Sequence, residues 1–424
     1  MWPRRNRPGA RQRAPSPTYF SVVEPGAMTF RLLVVEVSEG GATVWGWSEQ
    51  PGPGRDGIEP AWLSTACDRA QRRAEEMAQD LAGRWILPDR MLVGLPSSQI
   101  VGRAWAVAQK RARPRRPVEE RELEALLSRA LRLAVNRLLS TAPGDGEWLL
   151  LDATPLVLTI DGRGVTDPVG FRAREMGAAV FAALAPAEML AAWRAAAEML
   201  EFVELTLVAE PRALAAGLND PQAMLVDVGD ATTNLIWCQT GRPGALDWLP
   251  SGSSALTRSL VRKWNLAPDR AERLKKAYCT GRLDPEAQGQ VQDVILPPVQ
   301  AWLAQVESAL ARMMADGLMS GGLVAGETLA DEALPAQLYL LGGGSAVPEV
   351  GESLQALAWS EKLRFSRYPQ VRLLRPTDVP GVVNRTEAGR EPGDVAALAL
   401  AAWAARQQAP PGRPERLLTA LCAT

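Results

Sequence analysis

Between Leu225 and Trp237 the chain reads LVDVGDATTNLIW. An apolar run enters Asp227–Val228–Gly229, turns through Asp230 to Asn234, and leaves as a second apolar run. That pattern calls for two strands joined by a tight polar turn. Three further signals follow in order: GSSALTRSL at 252–260, AERLKKAYCTG at 271–281 and YLLGGGSAV at 339–347. Strands, glycine turns and amphipathic helices thus alternate, and the expected class is α/β.

A chain of 424 residues is long enough for two or three domains with cores of their own. Its net charge of -1 supplies no global attraction to nucleic acid or anionic membrane, so a nucleic-acid partner is not expected. No apolar run is long enough to span a membrane, and MWPRRNRPGARQR lacks the apolar core of a secretory signal. The expected location is the cytoplasm. Cys67, Cys238, Cys279 and Cys422 lie far apart and fit neither a disulfide framework nor a zinc site. The chain has no histidine, which excludes Ser-His-Asp and Cys-His catalysis and the usual histidine-containing zinc hydrolase sites. Chemistry here must rest on carboxylates, Lys or Arg, backbone amides and bound metal. Phosphoanhydride chemistry meets that restriction.

Residues 1–28, rich in Pro, Arg and Gly, read as a disordered basic tail, or as an over-long start ahead of Met28. Folded sequence is expected from about Thr29, with strands over 30–37, 42–47 and 90–95 and a helix over 65–82. A basic segment, Lys110 to Arg116, leads into an amphipathic helix over 118–139. Strands are expected at 148–152, 154–160 and 203–208, and helices at 187–200 and 210–218. Residues 175–184 suit an extended segment despite an alanine content that also suits a helix. A long helix over 291–317, started or interrupted at Pro297–Pro298, a strand at 337–341 and an Ala-rich helix over 394–406 complete the reading.

Asp227, at a strand end before a tight turn, can orient a hydrated magnesium ion. Gly229, Thr232 and Thr233 can offer donors to phosphate oxygens. An ordinary Asp-Gly hairpin would look the same. Gly252 and Ser253 stand before a helix, as phosphate donors or as simple caps. Glu272 and Lys275 share a helix face and suit ribose hydroxyls and a base edge, or a surface ion pair. Gly342, Gly343 and Gly344 let a planar base approach backbone, or merely loosen a strand-to-helix connection. No Walker loop exists, which argues against a P-loop NTPase.

In this order the segments resemble the actin-like ATPase superfamily, and within it FtsA, the bacterial cell-division actin homologue, and PilM of type IV pilus assembly. LVDVGDATTN stands where the second phosphate loop usually reads DIGGGTTD; AERLKKAYCTG matches the helix whose Glu and Lys contact the nucleoside. AEPRALAAGL at 209–218 resembles the helix bordering the cleft, and DVAALALAAW at 394–403 the closing helix. The resemblance implies a two-lobe fold of ribonuclease H-like type carrying a 1C (SHS2-type) subdomain. Its implied layout is lobe 1 at 29–88, the inserted subdomain at 89–170, lobe 1 again at 171–218, lobe 2 at 219–393, a closing helix at 394–410 and a flexible tail at 411–424.

ATP and Mg2+ are the implied cofactors, with Glu36 and Asp227 as catalytic and metal-holding acids. Ser38, Glu39 and Gly40 complete a first phosphate loop, and Asp230 joins the second. VEVSEGG departs from the family's DIGTS, and Asp230 and Asn234 depart from the second loop's glycine and aspartate, so hydrolysis is expected to be slow or absent. The implied role is a scaffold that self-associates and meets a cell-division or pilus-assembly partner, touching the inner face of the membrane through that partner. A nucleotide-free adaptor of the same fold is the alternative, and a small-molecule kinase ranks below both.

Overall fold

The computed structural model describes residues 17–53, 60–315, 333–356, 359 and 361–422. Most of the expected tail lies outside the described residues, but its last part is a strand. Thr18–Pro25 forms β1, with Val22 and Val23 fully buried. It pairs antiparallel with β2 (Thr29–Ser38), which pairs antiparallel with β3 (Gly41–Pro51). Helix α1 (Pro60–Ala82) carries the chain back, so that β4 (Arg90–Leu95) lies parallel to β1. A short apolar run beside Pro- and Arg-rich sequence carries little local signal, and its pairing on both edges is what makes it a strand.

An inserted module follows. Its sheet contains β5 (Val101–Lys110), β6 (Trp148–Ile160), β7 (Arg163–Val165) and β8 (Glu175–Pro186), covered by α2 (Glu120–Leu139). The module therefore begins after β4, which belongs to lobe 1, and it includes β8, which the sequence reading assigned to lobe 1. β8 is extended despite its alanines because it lies between β5 and β6 with Gly177 through Ala185 buried. Small side chains on both faces suit a strand covered from both sides, and packing overrides helix propensity. The expected strands at 148–152 and 154–160 are one strand, irregular near Pro155, where a missing N–H is tolerated.

The chain then returns through α3 (Ala187–Met199) to β9 (Glu204–Ala209), parallel to β4, and α4 (Glu210–Ala216). Lobe 2 consists of β10 (Gln222–Val228), β11 (Thr233–Gln239) and β12 (Arg242–Leu249). Helices α5 (Ser254–Trp264), α6 (Pro268–Cys279) and α7 (Pro285–Ala315) follow, then β13 (Gln337–Leu341), α8 (Pro348–Gln355) and β14 (Gln370–Leu373). α7 runs through Pro297 and Pro298 as one helix. Finally β15 (Val382–Asn384) pairs parallel with β3, and the closing helix Val395–Arg406 packs on the lobe 1 sheet.

Among the described residues two sheets result, ordered β15-β3-β2-β1-β4-β9 and β14-β13-β10-β11-β12-β5-β8-β6-β7. The second joins lobe 2 to the module through Ala245 and Arg103 of β12 and β5. The expected flexible tail is replaced by a helix, Arg413–Cys422, whose Leu418 is 1% exposed within the module core.

Candidate interlobe site

Parallel strands share a carboxyl edge, and α/β folds bind ligands there. β1, β4 and β9 end at Pro25, Leu95 and Ala209, while β10 and β13 end at Val228 and Leu341. Glu24, Glu210 and Asp227 therefore gather where the two lobes face each other, and each raises or feels the charge of another.

Glu24 and Glu210 are buried, and one guanidinium serves the group. Arg31 reaches Glu24 at 2.7 Å, Glu49 at 3.1 Å and Asp394 at 3.2 Å. Burial pushes the Glu24 carboxyl up to about 7 against the pull of Arg31. Burial, then repulsion from Glu24 and Asp227, raises Glu210 well above the usual range. Burial also raises Asp227, although the amide of Asn234 donates to it at 2.9 Å. For Arg31 burial acts downward, but Glu24 and Asp394 outweigh it and hold the guanidinium charged.

The β1–β2 turn crosses the edge at Gly26, where a Cβ would meet the Thr29 carbonyl at 2.6 Å and Glu24 at 3.2 Å. The β10–β11 turn closes through Gly229 N–H donating to the Thr232 carbonyl at 2.9 Å. The amides of Ser253 and Ser254 then donate to the carbonyls of Gly229 and Asp230, each at 2.9 Å. Gly252 permits this approach, since a Cβ there would lie 2.5 Å from the Asp230 carbonyl. Gly342, at φ +86°, abuts Asp227 and Val228, and Gly344 abuts Val228 and Ser253. Gly343 is exposed, with nothing within 4 Å of an added Cβ.

The α6 pair joins this edge. Lys275, 5% exposed, lies 2.8 Å from Glu272 and donates to Ser253 Oγ at 3.2 Å. Ser253 Oγ faces Asp230 at 3.4 Å, and Thr257 donates to Glu272 at 2.7 Å. Burial works against the Glu272 charge, but Lys275 and Thr257 prevail and hold its carboxyl low. A chain of polar contacts thus ties the second turn to α6.

Of the sequence-derived candidates, the structure brings Asp227, Gly229, Asp230, Thr232, Gly252, Ser253, Glu272, Lys275 and Gly342 to Gly344 to this edge. Thr233 is fully buried beneath it, donating to the Ser251 carbonyl at 2.7 Å and accepting from the Trp302 indole at 2.9 Å. Its hydroxyl is committed inside lobe 2.

Glu36, Ser38, Glu39 and Gly40 are elsewhere. Glu36 pairs in register with Tyr19, five residues along β1 from Glu24 and so about 17 Å away. Its carboxylate is held by Arg84 at 2.6 Å, and Ser38, Glu39 and Gly40 are exposed at the opposite edge. Two turns in lobe 1 show an acid and a glycine after a β run, and only strand direction tells which one faces the cleft. Glu24–Pro25–Gly26 carried that signal in the sequence. Arg31 and Asp394 carried none.

The ligands the acid cluster could offer an ion are carboxylate oxygens, as suits magnesium, although the Arg31 guanidinium stands among them. Asn234 Oδ1 is buried beside it and has no hydrogen-bond partner among the described residues. Among the described residues no three His, Cys, Asp or Glu side chains are arranged to ligate an ion directly.

No family model and no curated protein matches the chain. Solved structures do. A chain of the PilM–PilN type IV pilus biogenesis complex is 18% identical with a TM-score of 0.60, over 90% of this chain and 97% of that one. The ethanolamine utilization protein EutJ from Carboxydothermus hydrogenoformans is 16% identical with a TM-score of 0.47, over 92% and 91%. MreB5 of Spiroplasma citri bound to AMPPNP is 10% identical with a TM-score of 0.44, over 93% and 97%.

Proposed function

From the two-lobe α/β fold of the actin-like ATPases, we propose that this chain is an assembly scaffold of the FtsA and PilM kind that binds ATP with magnesium between its lobes. One observation carries the reading. The acid-ended strands β1 and β10, the acid that opens α4 and the glycine turn after β13 meet at a single carboxyl edge.

In this reading Glu24, Glu210 and Asp227 orient the water shell of the ion, and Arg31 stands beside the phosphates. The Gly229–Thr232 turn supports phosphate oxygens, Glu272 and Lys275 serve the nucleoside, and Gly342 to Gly344 give the base a flat bed. Bound magnesium would neutralise charge on phosphate and carboxylates alike. The protein's own residues bind and orient. Turnover is slow or absent, because Asp230 adds a carboxylate beside the phosphates. The partner is an assembly protein at the inner face of the membrane, of the pilus or division type. No helix among the described residues is long and apolar enough to cross a membrane.

A nucleotide-free adaptor is the second reading. It is favoured by the Ser253 and Ser254 amides and the Lys275 ammonium, all of which already have partners inside the protein.

Calorimetric titration with a slowly hydrolysed ATP analogue, with and without magnesium, separates the two readings. The scaffold reading expects magnesium-dependent binding that Asp227→Ala and Lys275→Ala both weaken by about tenfold or more. Absence of heat from folded protein at roughly millimolar analogue would leave the adaptor reading standing.

A further inference from the structure

Far from the interlobe edge, the module carries a concave basic surface. A cavity of about 980 Å³ is lined by Lys110, Arg113, Arg115, Arg116, Arg172 and Arg174, together with Arg111, Pro114, Ala173, Asp161 and Glu175. The first six cations are exposed, and among the described residues none has an ion-pair partner. The chain as a whole has a net charge of -1, so this concentration of like charge is local. Like charges held together repel, and such an arrangement is stabilised when an anion fills it.

The backbone under these cations is fixed. All five N–H donors of the Arg111 guanidinium are used. Two go to Glu122, at 3.1 and 2.8 Å, and three to the carbonyls of Arg116, Ala173 and Pro117, at 3.0, 3.1 and 3.1 Å. Arg111 is thus a rivet and not a ligand. Its own N–H donates to the Arg174 carbonyl at 2.8 Å, and Val118 N–H donates to the Phe171 carbonyl at 2.7 Å. Asp161 accepts the amides of Arg174 and Glu175 on one oxygen, at 2.8 and 2.9 Å, and with Glu175 it sets two carboxylates against the six exposed cations of the cavity. Two loops are stitched into one shape while their cationic heads are left unpaired. Fixing a site before its ligand arrives reduces the ordering entropy lost on binding.

We propose that this cavity docks an acidic peptide segment of a partner protein. Guanidinium forks match carboxylates in pairs of parallel hydrogen bonds, and five of the six free cations are arginines. A concave site of this volume admits an extended segment, whereas a bilayer surface would touch only its rim. Phe171, 51% exposed at the start of the Arg172–Arg174 loop, supplies an apolar contact for one side chain of the segment. One exposed aromatic is too few for the stacking platform that a nucleic-acid strand uses.

The test is fluorescence anisotropy of a short fluorescein-labelled glutamate-rich peptide titrated with the full chain at low and physiological salt. Flotation with phosphatidylglycerol vesicles runs in parallel. Arg115→Glu with Arg172→Glu should weaken peptide binding by about tenfold or more, and Arg115→Gln with Arg172→Gln by less. Arg129→Glu with Arg194→Glu makes the same change in net charge on exposed helix positions outside the cavity, and should leave binding unchanged. Unchanged far-ultraviolet dichroism certifies each variant as folded. Equal loss in both charge-reversed pairs would reduce the effect to net charge and overturn the proposal. So would vesicle binding without peptide binding, or no peptide binding at low salt.

Discussion

Glu24 and Gly342 show how much of the interlobe edge rests on single positions. A Cβ on Gly342 would lie 2.4 Å from Asp227 Oδ1 and 2.5 Å from the Val228 carbonyl, at a φ of +86° that side chains seldom adopt. Gly342→Ala is expected to cost more than about 1 kcal/mol in urea denaturation. An unchanged midpoint would mean that the turn yields freely. Glu24, Glu210 and Asp227 titrate above their unfolded values because burial disfavours their charge. The folded chain therefore holds protons that the unfolded chain has released, and stability falls as pH rises. For Glu24 the fall begins near its unfolded value of 4.5 and is complete above about 7. Melting temperature measured across that window should decline less steeply in Glu24→Gln than in the parent. Parallel slopes would refute the assignment.

Among the elements, the terminal helix Arg413–Cys422 binds the module at several points. Arg413 meets Asp167 at 3.0 Å and Glu120 at 3.4 Å, and Glu415 meets Arg242 of lobe 2 at 2.8 Å. Exposed pairs of this kind contribute little each, so Leu418 in the module core is the main anchor. Leu418→Ala should destabilise by about 2 to 3 kcal/mol and open this helix to limited proteolysis. A digestion pattern like the parent's would show that the helix holds without it. Arg111 plays the corresponding part for the basic loops. Arg111→Lys keeps the charge but loses the fork, and should cost about 2 kcal/mol by the same denaturation assay.

For the whole molecule, one turn connects the lobes at the acid cluster. Gly342 N–H of lobe 2 donates to the Pro392 carbonyl at 3.2 Å, and Asp394 two residues on holds Arg31 of lobe 1. The other oxygen of Asp394 accepts the Glu391 amide at 2.9 Å, so one carboxylate shapes the turn and fastens it. Asp394→Ala should therefore speed hydrogen exchange at both 342–344 and 392–394. Faster exchange in only one of the two segments would show that they are not coupled. If the proposed scaffold changes lobe angle with its ligand, this turn lies in the path of that motion.

Local pattern was enough for the α/β class and for most elements. The strand–turn–strand at 225–237, the Glu272–Lys275 spacing and the glycine triplet can each be read from the chain, because each is made within a few residues. The resemblance built on them is matched in fold by a chain of the PilM–PilN complex. What they could not supply was direction. Glu36 with its glycine turn and Glu24 with Gly26 read alike, and the choice between them depends on the parallel pairing of β1 with β4, made across more than sixty residues of chain. The same holds for β8, whose alanines become a strand only between two partners, and for the last helix, which is held by Leu418 in the module core. Arg31 and Asp394 are ordinary charged residues until the lobes meet. Sequence determined which local pieces this chain can form. Long-range pairing and burial decided which edge the acids share, because that energy comes from residues distant in the chain.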